Sequence, residues 1–195
     1  MSDRNFENMH KHVLQMLKGL EDKLTYHSID HTVDVICHTE RIAMEEGVDE
    51  KDIYLLKVAA LYHDTGFLFT YAGHEIKSCE IFLADNDKFN FSEAEKKVII
   101  DLIMATRVPQ RPNTHLQKII CDADLDYLGR NDFNEIAALL KQEFLNCGII
   151  ADEHEWKKLQ LNFLENHQYH TESSKTKREP VKKDNVGRLN KKKSR

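Results

Sequence analysis

Chain breakers are scarce: seven glycines and three prolines in 195 residues. Alternating apolar and polar runs are scarce too, which leaves little room for strands, hairpins or long loops. Cysteine is sparse. Cys37, Cys79, Cys121 and Cys147 form no CxxC pair, so zinc ribbons and dithiol redox centres are excluded and the thiols read as reduced. No stretch approaches the roughly 20 apolar residues of a membrane span. The opening "MSDRNFENMHKHVLQ" is charged and has no apolar signal core, so a cytoplasmic chain without membrane contact is expected. P-loop, GxGxxG and GxSxG patterns are lacking as well.

What is present is helical periodicity. Phe6, Met9, Val13, Leu17, Leu20 and Leu24 fall at intervals of three or four and make one amphipathic stripe. A second helix is predicted from about His31 to Glu46, stopping at Gly47, and a third from about Asp52 into His63. A fourth covers about His74 to Ala84, and "SEAE" at 92 to 95 is a capping box that opens a fifth, broken by "RVPQRPNT". Further helices are predicted at about 115 to 128, 132 to 147 and 152 to 167. The fold class is all-α, without internal repeats. At this length one domain can bury roughly 70% of its unfolded surface, and residues 1–170 are assigned to it.

The net charge of −5 conceals an asymmetry. Residues 171–195 carry ten Lys or Arg against three Asp or Glu, a balance of +7, and the remainder carries −12. The basic end reads as an extension, partly helical or disordered. The acidic body argues against nucleic acid as the main ligand and suits carboxylates gathered around a cation.

Three segments concentrate candidate ligands. His27 and His31 in "YHSIDH" are four apart; on a helix they would share a face at about 6 Å. "ALYHDTGF" ends an apolar run in His63 and Asp64, polar groups that are costly to bury without a partner. "IICDADLDYLG" crowds Asp122, Asp124 and Asp126, whose mutual repulsion a cation would relieve. Other metal motifs fail. An EF-hand starting at Asp122 needs glycine at Tyr127 and glutamate at Phe133. A DxDxT phosphatase needs threonine where Asp126 stands, and a parallel sheet. HExxH fails because Ser78 follows His74-Glu75 and Lys158 follows His154-Glu155 where the second histidine belongs.

The order of "YHSIDHT", "AALYHDTGF", "AGHEIKS" and "DADLDYLG" over about residues 24 to 130 resembles the HD superfamily of metal-dependent phosphohydrolases. The resemblance implies an all-α, compact, multi-helix HD/PDEase-like bundle. It assigns His31, His63, Asp64 and Asp124 as metal ligands, with Asp64 the bridge if two ions bind and His74 a ligand of the second. Asp124 is preferred to Asp122 because relatives place the ligand after alanine. His27 matches the general acid of cyclic-nucleotide phosphodiesterases, with Ser28 where asparagine is common. Members that position water with a glutamate soon after HD have Phe67 or Leu68 here.

Lys57, seven positions before Asp64, returns to nearly the same helix face and is a candidate for phosphate. Arg107, Arg111 and Arg130, near loops expected to border the mouth, are further substrate-binding candidates. His10, His12, His38, His115, His154 and His167 read as non-ligands; about 10 Å of helix separates His38 from His31.

The implied cofactor is one or two divalent ions among Mn, Fe, Co, Ni, Zn and Mg. The implied function is hydrolysis of a phosphomonoester or nucleotide by metal-activated water, with Asp64 taking a proton and His27 giving one to the leaving group. A phosphodiesterase is the alternative enzyme, and a non-catalytic nucleotide-binding sensor module the alternative of another class. Expected partners are a small phosphorylated substrate, nucleotides foremost, and at most a second copy of the chain.

Overall fold

Side-chain caps set where the helices begin. In a computed structural model that describes residues 6–193, with side chains through residue 190, ten α-helices are joined by short turns, with no β-strand among the described residues. They are α1 (Phe6–Leu17), α2 (Ile29–Glu45), α3 (Glu50–Tyr62), α4 (His74–Phe89), α5 (Glu93–Ala105), α6 (His115–Asp124), α7 (Phe133–Asn146), α8 (Glu153–Asn166), α9 (Glu172–Lys177) and α10 (Glu179–Lys193). Ser28, Asp49, Ser92, Thr114, Asp152 and Thr171 each accept a first-turn amide, and Ser92 and Thr114 complete capping boxes with Glu95 and Gln117.

These ends correct the spacing in three places. The first apolar stripe leaves the helix at Leu17, because Gly19 N–H bonds to Met16 O at 2.9 Å and Leu20 N–H to Leu17 O at 3.1 Å, closing tight turns. Leu24 is still buried, now from a loop. The Ser28 cap starts α2 at Ile29, so His27 lies just outside the helix and the pair with His31 is not a helical i, i+4 face. α6 stops at Asp124, and Asp126–Gly129 forms a 3-10 turn where continued helix was expected.

Two apolar clusters fill the interior. The larger joins α1 to α6, with Val35, Leu56, Leu61, Ile99, Ile103 and Ile120 inaccessible or nearly so. The smaller joins Tyr26, the 126–129 turn, α7 and α8 through Tyr127, Phe133, Trp156 and Leu164. His31, His63 and Asp124 sit where the first cluster meets the second, at the ends of helices that the packing holds rigidly.

The basic end is helical and docked. Asp122 accepts from His170 N–H and Thr171 N–H, each at 2.8 Å, and from Thr171 Oγ1 at 2.7 Å. Asp126, fully buried, bonds Arg178 Nε at 2.9 Å and Arg41 Nη2 at 2.8 Å. Asn185 Nδ2 donates to Leu128 O at 3.0 Å, and Lys177 pairs with Glu45 at 2.6 Å. Lys177 and Arg178, at the end of α9, thus pair with the acidic body of the same chain, while Lys175 and Lys182 pair within the extension with Glu172 and Glu179. The triple-aspartate reading is corrected accordingly: Asp122 and Asp126 hold the C-terminal segment, and of the three only Asp124 turns toward the imidazoles.

Gly66 permits a close approach. A Cβ there would overlap the His74 carbonyl, while its N–H donates to Ser78 Oγ at 2.8 Å and Ser78 Oγ donates in turn to His63 O at 2.6 Å. This contact seats the start of α4 against the turn that follows Asp64. Gly66→Ala is expected to destabilise the fold by about 1–3 kcal/mol, the usual cost of overpacking. Urea unfolding followed by circular dichroism checks this, and an unchanged midpoint would refute it.

Candidate metal centre

Three helix ends deliver the donors. His31 projects from the first turn of α2, His63 and Asp64 follow the last turn of α3, and Asp124 ends α6. His31 Nε2, His63 Nε2 and a carboxylate oxygen of Asp124 all lie within 4.8 Å of one another. Asp64 Oδ2 stands 3.3 Å from His31 Nε2 and 3.1 Å from His63 Nε2. His63 is 1% exposed and Asp64 6%. The Nε2 atoms of His31 and His63 and Oδ2 of Asp64 are buried without a hydrogen-bond partner. Orphaned polar atoms of this kind are rare in an interior, and three mutually close donors, with Asp64 Oδ2 beside both imidazoles, fit a divalent cation.

The orientation of His63 follows from its local backbone. Nδ1 lies 2.8 Å from Ala60 O, one turn back in α3, and since a carbonyl only accepts, Nδ1 carries a proton and Nε2 is the nitrogen whose lone pair is free to ligate when the imidazole is neutral. Gln110 Nε2 holds the other Asp124 oxygen at 3.2 Å.

Electrostatics tell the same story from the proton side. Burial opposes charge on His31, but the Asp124 and Asp64 carboxylates 3.4 and 3.3 Å from Nε2 outweigh it and raise its pKa to about 9. Burial likewise opposes charge on His63, and the adjacent Asp64 carboxylate drives it well above the ordinary histidine range. For Asp64 and Asp124, burial pushes the pKa up, yet the facing imidazoles win; Asp64 ends well below its usual range and Asp124 at about 2. Protons on the imidazoles supply the positive charge that the carboxylates require.

Beside this centre is a second constellation. His74, first residue of α4, places Nε2 3.4 Å from Asp64 Oδ1. Phe67 stacks between His74 and His27, with ring centroids 3.9 and 4.1 Å away. It therefore serves as a spacer between the two imidazoles. Glu143, fully buried on α7, binds Nδ1 of His27 through one oxygen. That oxygen also accepts from Tyr71 Oη at 2.8 Å, and the other accepts the N–H groups of His27 and Tyr26 at 3.0 and 2.9 Å. These donors and the charge of His27 hold the Glu143 carboxyl below its usual range against the opposing effect of burial. Sequence reasoning passed over Glu143 and Tyr71, which carry no motif and stand 116 and 44 positions from His27 in the numbering.

A model described as "HD domain" matches residues 28–126. The chain belongs to the HD domain family. Membership makes it one of a superfamily of metal-dependent hydrolases, and the matched segment contains His31 near its start, His63 and Asp64 in its middle and Asp124 near its end. Neither a curated protein nor a solved structure matches the chain.

The other candidates of this HD protein are scattered. Arg107 lines a cavity of about 560 Å³ that opens from Asp64, Asp124, His27 and His74. Lys57 is turned away: its Nζ bonds Glu40 at 2.8 Å and lies 5.0 Å over the Phe6 ring. Arg130 is held by Asp34 at 2.8 Å and Asp132 at 2.9 Å, and Arg111 is on the surface away from the cavity lining. Helical register alone put Lys57 near Asp64, but Asp64 follows the end of α3, so register no longer carries over. No helix among the described residues is long and apolar enough to cross a membrane.

Metal ligation needs neutral imidazole, so loading must displace the protons that the carboxylates hold on His31. Affinity for a divalent ion is expected to rise as pH climbs toward about 9. Calorimetric titration near neutral pH in buffers of different ionisation enthalpy should report proton release; equal heats in both would contradict it.

Proposed function

We propose that this HD protein is a metal-dependent phosphomonoester hydrolase, with mononucleotides among its candidate substrates, and that His31, His63, Asp64 and Asp124 hold its ion. The supporting observation is the convergence of three buried, unpartnered donor atoms, from His31, His63 and Asp64, beside the Asp124 carboxylate. When bound, a divalent ion lowers the pKa of water to near neutrality and offsets charge on the phosphoryl oxygens. His74, facing the second oxygen of Asp64, is suited to a second ion, with Asp64 as the bridge.

The chain's own groups supply orientation and proton traffic. Asp64 presents two carboxylate oxygens to opposite sides, one to His31 and His63 and one to His74. It is suited to accept a proton from water in the cavity. An ionised Glu143 only accepts, so Nδ1 of His27 carries a proton toward it and Nε2 is the atom that can donate to a leaving oxygen. Glu143 stabilises the imidazolium needed for that donation, as a carboxylate orients a histidine in other hydrolases. Phe67 keeps the ring plane fixed by stacking. Arg107, on the cavity wall, is available to a phosphoryl oxygen.

Hydrolysis of nitrophenyl phosphate by the metal-loaded protein, abolished by Asp64→Asn, is the expected result. Turnover of bis(nitrophenyl) phosphate in its place would redirect the reading to a phosphodiesterase, and tight nucleotide binding without turnover would favour the sensor module.

The proton donor is tested separately. His27→Asn should lower kcat on alkyl phosphates by about a hundred- to ten-thousand-fold, the range of general acid catalysis. Glu143→Gln should act in the same direction but less. Nitrophenyl phosphate, whose leaving group departs without a proton, should suffer far less from either change. Equal losses on both substrates would remove His27 from that role.

A further inference from the structure

The cavity that opens from the metal centre is apolar over most of its wall. Between α7 and α8 its sides are Phe133, Phe144, Trp156, Leu159, Phe163 and Leu164. Trp156 meets Phe144 edge-on at 5.9 Å and is 6% exposed, so this wall is built rather than incidental. At the centre's end the lining is anionic, with Asp64, Glu75 and Asp124, and Arg107 is the one lysine or arginine among the lining residues. One phosphoryl group can be neutralised there by a bound ion and Arg107. A further phosphate would meet no second lysine or arginine, only His27 and His74, which are already engaged with Glu143 and Asp64.

We propose that the substrate carries a single phosphoryl group on a bulky apolar alcohol, and that this leaving group sits between α7 and α8 while the phosphoryl group faces Asp64, Asp124 and His27. The assignment rests on the phosphoester reading above and adds the chemistry of the leaving group. A volume of about 560 Å³ accommodates a medium alkyl chain or an aryl system. Burial of such a body against aromatic walls supplies binding energy that a polar sugar would forfeit. Leu159, 38% exposed and part of the lining, marks the mouth.

Trp156 is the sole tryptophan, so its emission reports occupancy of the cavity without any need for turnover. The full-length, metal-loaded protein is titrated with methylphosphonate, octylphosphonate and benzylphosphonate, whose C–P bonds resist hydrolysis, and with adenosine monophosphate. Octyl- or benzylphosphonate should bind about a hundredfold more tightly than methylphosphonate, the gain from burying roughly three to four methylene groups. Either should shift Trp156 emission, and the tighter of the two distinguishes a chain from a ring. Leu159→Glu, at a position exposed enough to leave folding intact, should erase most of that gain and leave methylphosphonate affinity unchanged.

Equal affinity for methyl- and octylphosphonate, a silent Trp156, or tighter binding of adenosine monophosphate than of octylphosphonate overturns the cavity assignment. Octan-1-ol binding as tightly as octylphosphonate overturns instead the phosphoester reading on which it depends.

Discussion

Two imidazoles and two carboxylates share one desolvated point, attracted by charge at 3.1 to 3.5 Å rather than joined by well-formed hydrogen bonds. His31 Nε2, His63 Nε2 and Asp64 Oδ2 are buried and orphaned, a condition that costs several kcal/mol per ion unless a charge of opposite sign is close. The helices exist in positions that keep this point assembled. α2, α3 and α6 are tied by the large apolar cluster, and each contributes its donor from a terminus, where the chain leaves regular structure and a side chain can turn inward. Rigid apolar packing makes the polar arrangement affordable, since a loose scaffold would let water or rotamer changes relieve the conflict.

Five residues, Asp122 to Asp126, divide three jobs among their aspartates. Asp122 receives the backbone at His170 and Thr171, Asp124 faces His31 and His63, and Asp126 binds Arg41 and Arg178. Alternation along the end of α6 and its 3-10 turn sends neighbouring carboxylates to different sides. The basic extension is therefore a structural counterpart of the acidic body. Gly129, whose Cβ would overlap Arg178 O, lets the extension press against that turn.

Much of this was legible in the chain. Few glycines and prolines, with apolar residues at helical spacing, announced an all-α fold, and HD, its upstream histidine and the downstream aspartate carried the family. What spacing could not supply was the termination of elements. The turn at Gly19 and the cap at Ser28 moved His27 off the helix, yet its ring still lies 5.9 Å from that of His31 because the loop folds back. Glu143 reaches His27 from α7 across 116 positions, a pairing without local periodicity. Lys57 misled because it shares a register with Asp64 only if α3 continues, and α3 ends at Tyr62. The aspartate triplet misled because crowding in sequence is not crowding in space.

The docking of residues 170–185 has a bearing on biosynthesis. Asp122 and Asp126 flank Asp124, and each is bonded by a segment some fifty residues downstream, with Arg41 a second partner of Asp126. While the ribosome still shelters that downstream stretch, Asp122 lacks the donors of His170 and Thr171, and Asp126 is left with Arg41 alone of its two bonded cations. A nascent chain paused before residue 170 would carry the family's signature residues without the brace that fixes one of them.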